Sequence, residues 1–200
     1  MNPLVRNDGE NGAFVIWGDF RSGSLGIYAQ HLSFSSGMSF GENGQLYVSG
    51  LGGNTISEYS YKPKSLYLGN DEVLLYWVDQ RFGVFGQYNF GQKIFSGWDS
   101  NQFISGTKLS NNNKADFPVA EGLSENIMVG FPDSEGSLEG PGVKYQILNQ
   151  NLDILGDDEG TLISETGDPQ SVNKFDMIYA SNDHLYFAYS EQEAFAIYNI

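Results

Sequence analysis

Apolar positions recur along this chain as short blocks, and the blocks themselves repeat. Ala13–Trp17 reads AFVIW, Val73–Trp77 reads VLLYW, Ile127–Phe131 reads IMVGF and Leu185–Tyr189 reads LYFAY. In the first block Ala13, Val15 and Trp17 point one way and Phe14 and Ile16 the other. Both sides are apolar, so the pattern predicts a strand covered on both faces rather than one wet on one side. Each block closes on an aromatic, any residue and an acid: Trp17/Asp19, Trp77/Asp79, Phe131/Asp133 and Tyr189/Glu191. A proline opens each unit upstream, at Pro3, Pro63, Pro118 and Pro169, and Pro3 to Trp17 spans the same 14 positions as Pro63 to Trp77. The chain therefore reads as one repeat domain, 1–200, built from units at about 3–62, 63–117, 118–168 and 169–200.

Turn signals divide each unit into short strands. In the first, Asn2–Val5 starts a strand, Asp8–Gly12 is a turn rich in residues that tolerate positive φ, and Ala13–Trp17 is the second strand. Gly18–Gly26 is a loop, and Gly26–Leu32 and Gln45–Ser49 complete the set. The second unit predicts strands at Lys64–Leu68, Val73–Trp77, Val84–Tyr88 and Gln102–Ser105, with Gln87 matching Gln30 and Gly106 matching Gly50. The third predicts Ile127–Phe131, an acidic glycine-rich loop over Pro132–Gly142, Val143–Leu148 with Gln146 where Gln30 stood, and Thr161–Ser164. The fourth predicts Val172–Ala180, Leu185–Tyr189 and Phe195–Tyr198, with no fourth strand. Helical spacing with a cap is nowhere sustained. Four short antiparallel strands per unit with a doubly covered second strand predict an all-β, β-propeller-like fold of about four blades, the last incomplete, which close a ring by themselves or belong to a larger ring of roughly six to eight blades. A sandwich would show cleaner alternation.

Composition narrows the partners. A net charge of -15 and a pI near 4.2 argue against nucleic acid, whose binders carry basic patches. No apolar stretch is long enough to span a membrane as a helix. The absence of cysteine removes disulfides, thiolate metal sites and cysteine nucleophiles. The first residues, MNPLVRNDGENG, lack the apolar core of a signal peptide, so an exported form is expected to derive from a longer precursor.

The order of these residues resembles a blade repeat of bacterial secreted and cell-surface proteins: proline, apolar strand, turn, apolar strand, Trp-x-Asp-x-Arg, a glycine-containing loop, then Ile-Tyr-Ala-Gln. The first unit carries it as Trp17, Asp19, Arg21, Gly23 and Ile27-Tyr28-Ala29-Gln30, and the second as Trp77, Asp79, Arg81, Gly83 and Val84-Phe85-Gly86-Gln87. The third keeps Asp133 and Gln146, the fourth only Tyr189 and Glu191. The resemblance implies a propeller-like fold in an exported, extracellular or surface-associated protein, and implies no catalytic residues. Tyr76-Trp77-Val78-Asp79 is also similar, in one copy, to the YWTD blade of lipoprotein-receptor propellers.

Candidate chemistry is weighed against architecture. Trp17 and Trp77, with Tyr28, Tyr59 and Tyr61, could stack on sugar rings, but their shared repeat position favours packing between blades. Asp19/Arg21 and Asp79/Arg81 could meet ligand, but Asp accepting loop amides and Arg pairing with an acid of a neighbouring blade fit the repeat better. The acid clusters Asp8/Glu10, Asp71/Glu72, Asp133/Glu135/Glu139 and Asp157/Asp158/Glu159 offer oxygens to Ca²⁺ yet lack EF-hand spacing, so no cofactor is expected and Ca²⁺ is the one weighed. His31 and His184, the two histidines, occupy non-equivalent places, and no HExxH, G-x-S-x-G or phosphate-loop pattern occurs. The expected function is a non-enzymatic binding or structural module that recognises a protein or glycan through loops such as Ser22–Gly26, Gly91–Asn101 and Pro132–Gly142. The alternative is a glycosidase-type enzyme on the same scaffold. The unfinished last sheet would pair with a flanking segment, a partner chain or a second copy.

Overall fold

The structure is a computed structural model that describes residues 3–49, 63–79, 88–95, 106–110, 118–137, 140–165, 174–180, 184–190 and 195–199. Among these residues every regular element except isolated turns is a β-strand, and four antiparallel sheets follow one another along the chain. The first holds β1 (Leu4–Asn7), β2 (Ala13–Asp19) and β3 (Gly26–Ser33), with β4 (Gly37–Met38) and β5 (Gln45–Val48) both paired to β3. The second runs in order β6 (Lys64–Gly69), β7 (Glu72–Asp79), β8 (Tyr88–Phe95) and β9 (Thr107–Lys108). The third runs β10 (Val119–Leu123), β11 (Asn126–Ser137), β12 (Gly140–Asn149) and β13 (Thr161–Glu165). The fourth has β14 (Lys174–Ala180), β15 (His184–Ser190) and β16 (Phe195–Asn199). Apart from β5, which pairs with β3 rather than β4, strands adjacent in sequence pair as neighbours, which is the meander of a propeller blade. The fold is all-β and β-propeller-like, and among the described residues the fourth sheet has three strands.

By its internal packing the chain forms two compact units, Met1–Gly83 with Phe90–Thr107 and Val84–Asn89 with Lys108–Ile200. In the first unit β7 is buried from Val73 to Asp79, as its two-faced apolar pattern predicts. Its counterpart β2 follows the pattern only in part: Phe14 and Ile16 are fully buried, while Val15 and Trp17 are half-buried. The first two sheets meet where β1 lies beside β6, and there Arg6 Nε donates to the carbonyl of Ser65 at 3.0 Å. In the second unit Val119, Met128 and Val143 of the third sheet share a core with Phe175, Met177, Leu185, Phe187 and Tyr189 of the fourth. Gly130 makes this possible, because a Cβ there would stand 2.5 Å from the Phe175 ring. Each such buried large side chain contributes about 1.5–3 kcal/mol relative to exposure.

Three expectations are corrected. The second sheet has a strand at Tyr88–Phe95, so Gly91–Phe95 is strand and not loop; of the expected strand Val84–Tyr88 only Tyr88 lies among the described residues. The sequence contains Phe-Gly-Gln twice, at 85–87 and 90–92, and the second copy lies on β8. Pro132–Gly142 is not an open loop either. β11 and β12 continue to pair through Pro132↔Val143 and Asp133↔Gly142, and a register shift before Ser137↔Gly140 absorbs the irregularity. Finally, β4 is an extra short strand folded back on Leu32 and Ser33. The predicted strand Gln102–Ser105 lies outside the described residues.

Candidate functional site

Among the described residues, the recurring residues meet at one station in each of the first three sheets. In the first sheet Trp17 on β2 faces Tyr28 on β3, and their rings stack 6.1 Å apart. The indole N–H donates to Asp19 Oδ2 at 3.3 Å. Arg21 clamps the same carboxylate: Nε donates to Oδ2 at 2.7 Å, Nη2 donates to it as well, and the Arg21 amide donates to Oδ1 at 2.9 Å. The guanidinium lies over both rings, 4.6 Å from the Tyr28 centroid and 5.7 Å from Trp17, so the aromatic faces are covered by a cation. The hydrogen bonds from the Arg21 side chain and amide hold the Asp19 carboxyl down at about 2. Deeper in the sheet, Gln30 uses its whole amide. Its Oε1 accepts from the amides of His31 and Phe40, and its Nε2 donates to the carbonyl of Gly41.

The second sheet repeats the station with different side chains. Trp77 Nε1 donates to Asp79 Oδ2 at 3.2 Å, both residues being buried. Its ring stacks on Phe90 at 6.3 Å. Buried Gln92, two residues beyond, therefore stands where Gln30 does. Arg81 and Gln87, assigned to this station from the sequence, lie outside the described residues.

In the third sheet Phe131 replaces tryptophan and has no N–H to give to Asp133. Opposite it, at the place of Tyr28, β12 carries Lys144. Lys144 Nζ lies 3.0 Å from Asp133 Oδ2, with both side chains essentially inaccessible to water. Gln146 is buried and pairs with Val129 as Gln30 pairs with Val15. In the fourth sheet Tyr189 pairs with Ala196, and its hydroxyl donates to Ser164 Oγ at 2.8 Å. Glu191 lies outside the described residues.

A glycine caps each of the first three stations. Gly44, Gly106 and Gly160 all have positive φ and directly precede the outer strand. A Cβ at Gly106 would stand 2.5 Å from Trp77, one at Gly160 3.0 Å from Phe131, and one at Gly44 would overlap Trp17. The glycine that matches Gly106 is thus Gly44, not Gly50. Sequence reasoning missed Lys144 and Gln92 as well, although each sits at a fixed offset from a motif residue.

No family model and no curated protein matches the chain. Among solved structures it is similar to the endo-arabinase of Bacteroides thetaiotaomicron VPI-5482, at 9% identity and a TM-score of 0.51, over 99% of this chain and 72% of that one. A looser match, TM-score 0.41 and 13% identity over 98% of this chain and 67% of the other, is to a protein of Bacteroides ovatus ATCC 8483 provisionally named a glycoside hydrolase. The first likeness agrees with the propeller-like fold.

Outside the stations, a second constellation joins the first two sheets within their unit. Asp8, His31 and Asp71 bring one ligand atom each to within 4.8 Å of one another. His31 Nε2 lies 2.9 Å from Asp8 Oδ2, and its Nδ1 lies 2.9 Å from Ser39 Oγ. Asp8 Oδ1 accepts from the amides of Glu10 and Gly12. Burial pushes the Asp8 carboxyl up, but the His31 contact and the two amides outweigh it, and the net shift is downward. Some described acids act in turns. Asp157 Oδ1, for example, accepts from the amide of Glu159 at an exposed corner.

Proposed function

We propose that this chain is a carbohydrate-directed propeller of an exported protein, which acts on a polysaccharide through loops at the blade ends. The observation that supports it best is the likeness of 99% of the chain to an endo-arabinase. That likeness favours the glycosidase-type reading over recognition of a protein. A purely glycan-binding role is the second reading. It draws on the stations, where Trp17 is covered by Arg21, Trp77 is buried, and the carboxylates of Asp19, Asp79 and Asp133 are each engaged by a neighbouring side chain. These residues serve the sheets, so a hydrolytic pair of carboxyls would have to come from elsewhere in the chain. Phe20, 54% exposed beside Arg21 and the Ser22–Ser24 loop, offers a ring to a sugar face.

The experiment is a screen of arabinans and other plant polysaccharides that follows reducing ends and, in parallel, retardation in polysaccharide-containing gels. Release of reducing ends supports the enzyme. Retardation without release, weakened by Phe20→Ala at unchanged Tm, supports the binding module. If no polysaccharide gives either release or retardation, the proposal is overturned.

A further inference from the structure

The repeats act as an internal control. A residue found at the same station in several sheets serves the sheet, whereas a polar cluster found once has another reason to exist. Asp8 and His31 are of the second kind. The place of His31, one residue after the buried glutamine, is taken by Lys93 in the second sheet and Ile147 in the third. Lys93 answers with a different contact, 2.7 Å to Glu72. The first sheet alone puts an imidazole there, and the second sheet's β6–β7 turn adds Asp71 to it.

We infer that Asp8, His31 and Asp71 form a binding site for one first-row divalent transition-metal ion, with Zn²⁺ as the ion best matched. The donor set decides the class: an imidazole nitrogen with two carboxylates suits Zn²⁺ and its neighbours, whereas Ca²⁺ takes oxygen ligands. Spacing fits as well. Ligands about 2.1 Å from a common metal stand roughly 3–3.5 Å apart, and Asp8 Oδ2 and His31 Nε2 are already 2.9 Å apart. Two carboxylates and one imidazole within 4.8 Å give a divalent ion a nearly neutral site. Both inner ligands are positioned. Ser39 Oγ fixes the His31 ring from the far side, the orienting contact that metal-bound histidines use. The backbone at Gly12 leaves room for the Asp8 carboxylate that any Cβ would fill. Without metal, Nε2–H donates to Asp8. On binding, that proton moves to Nδ1, where Ser39 Oγ accepts it, and Nε2 offers its lone pair to the ion. The site is independent of the polysaccharide reading.

The test uses the chelator-treated chain, with Zn²⁺ titrated against a chromophoric competitor and Co²⁺ followed by its visible spectrum. One ion per chain, a Tm that rises with Zn²⁺ but not with Ca²⁺, and a Co²⁺ spectrum with nitrogen ligation are expected. Asp71→Asn keeps the shape of a residue at φ 64, which asparagine tolerates. It should weaken Zn²⁺ by at least about tenfold, since even outer-sphere partners of metal ligands are worth that much. His184→Gln, which removes the other histidine, should leave binding unchanged. The inference fails if wild type takes up no stoichiometric Zn²⁺, if it prefers Ca²⁺, if Asp71→Asn binds as wild type does, or if His184→Gln abolishes binding.

Discussion

The Lys144–Asp133 pair offers the sharpest test of how the blades are built. Lys144→Met keeps most of the side chain's length and removes the cation from a carboxylate that water cannot reach. At 3.0 Å, opposite unit charges at an effective dielectric of 20 attract by about 5–6 kcal/mol. Desolvation offsets part of that gain, and stripping one partner from a buried pair typically costs about 3–5 kcal/mol. A domain's net stability is only about 5–15 kcal/mol, so urea unfolding followed by far-UV circular dichroism should show the midpoint fall steeply. The repeat also predicts the rescue. In the first two sheets the same carboxylate is met by an indole N–H. Adding Phe131→Trp to Lys144→Met therefore restores a donor, and about 1.5–3 kcal/mol should return. Gly160 stands over this ring as Gly44 and Gly106 stand over the two indoles. A Lys144→Met protein within about 1 kcal/mol of wild type would refute the reasoning, because the pair would then contribute no more than an exposed one. A double variant no more stable than the single would show that the stations are not interchangeable.

Two further predictions concern the first and second sheets. Gly106→Ala combines a positive φ with a Cβ 2.5 Å from Trp77, whereas Gly37→Ala meets only the positive φ. Gly37→Ala should cost about 1–2 kcal/mol and Gly106→Ala about 1–3 kcal/mol more, read as the difference in their urea midpoints. The Asp19 carboxyl is depressed from 3.8 to about 2. Its stabilisation is therefore complete above about pH 4 and fades as pH falls toward 2. Arg21→Met removes the principal cause, so the Tm gap between it and wild type should be constant above pH 4 and close between pH 4 and 2. A gap that persists at pH 2 would mean that Arg21 stabilises by packing on Trp17 and Tyr28 instead.

Much of the architecture was legible in the chain because it is local and repeated. The apolar blocks at Ala13, Val73, Ile127 and Leu185 are β2, β7, β11 and β15, and the positive-φ turns at Asn11 and at Asn70-Asp71 fall where asparagine, aspartate and glycine cluster. Gln146 falls opposite Val129 as Gln30 falls opposite Val15, a register set by strand pairing rather than by residue count, since 13 positions separate Trp17 from Gln30 and 15 separate Phe131 from Gln146. Tertiary structure decided what spacing alone leaves degenerate. Two Phe-Gly-Gln words five residues apart serve equally well as sequence, and the stacking of Phe90 on Trp77 places the second at the station. The exchange of an indole–carboxylate bond for a lysine–carboxylate pair is equally hidden, because Phe131 and Lys144 meet across two strands. The approach of Asp71 to Asp8 and His31 comes from packing one sheet on the next, across a stretch of chain no local pattern spans. Local sequence writes strands and turns because their energetics lie within a few residues. Which side chains share a buried space is settled only when sheets pack and each polar group must find a partner or lose its hydration.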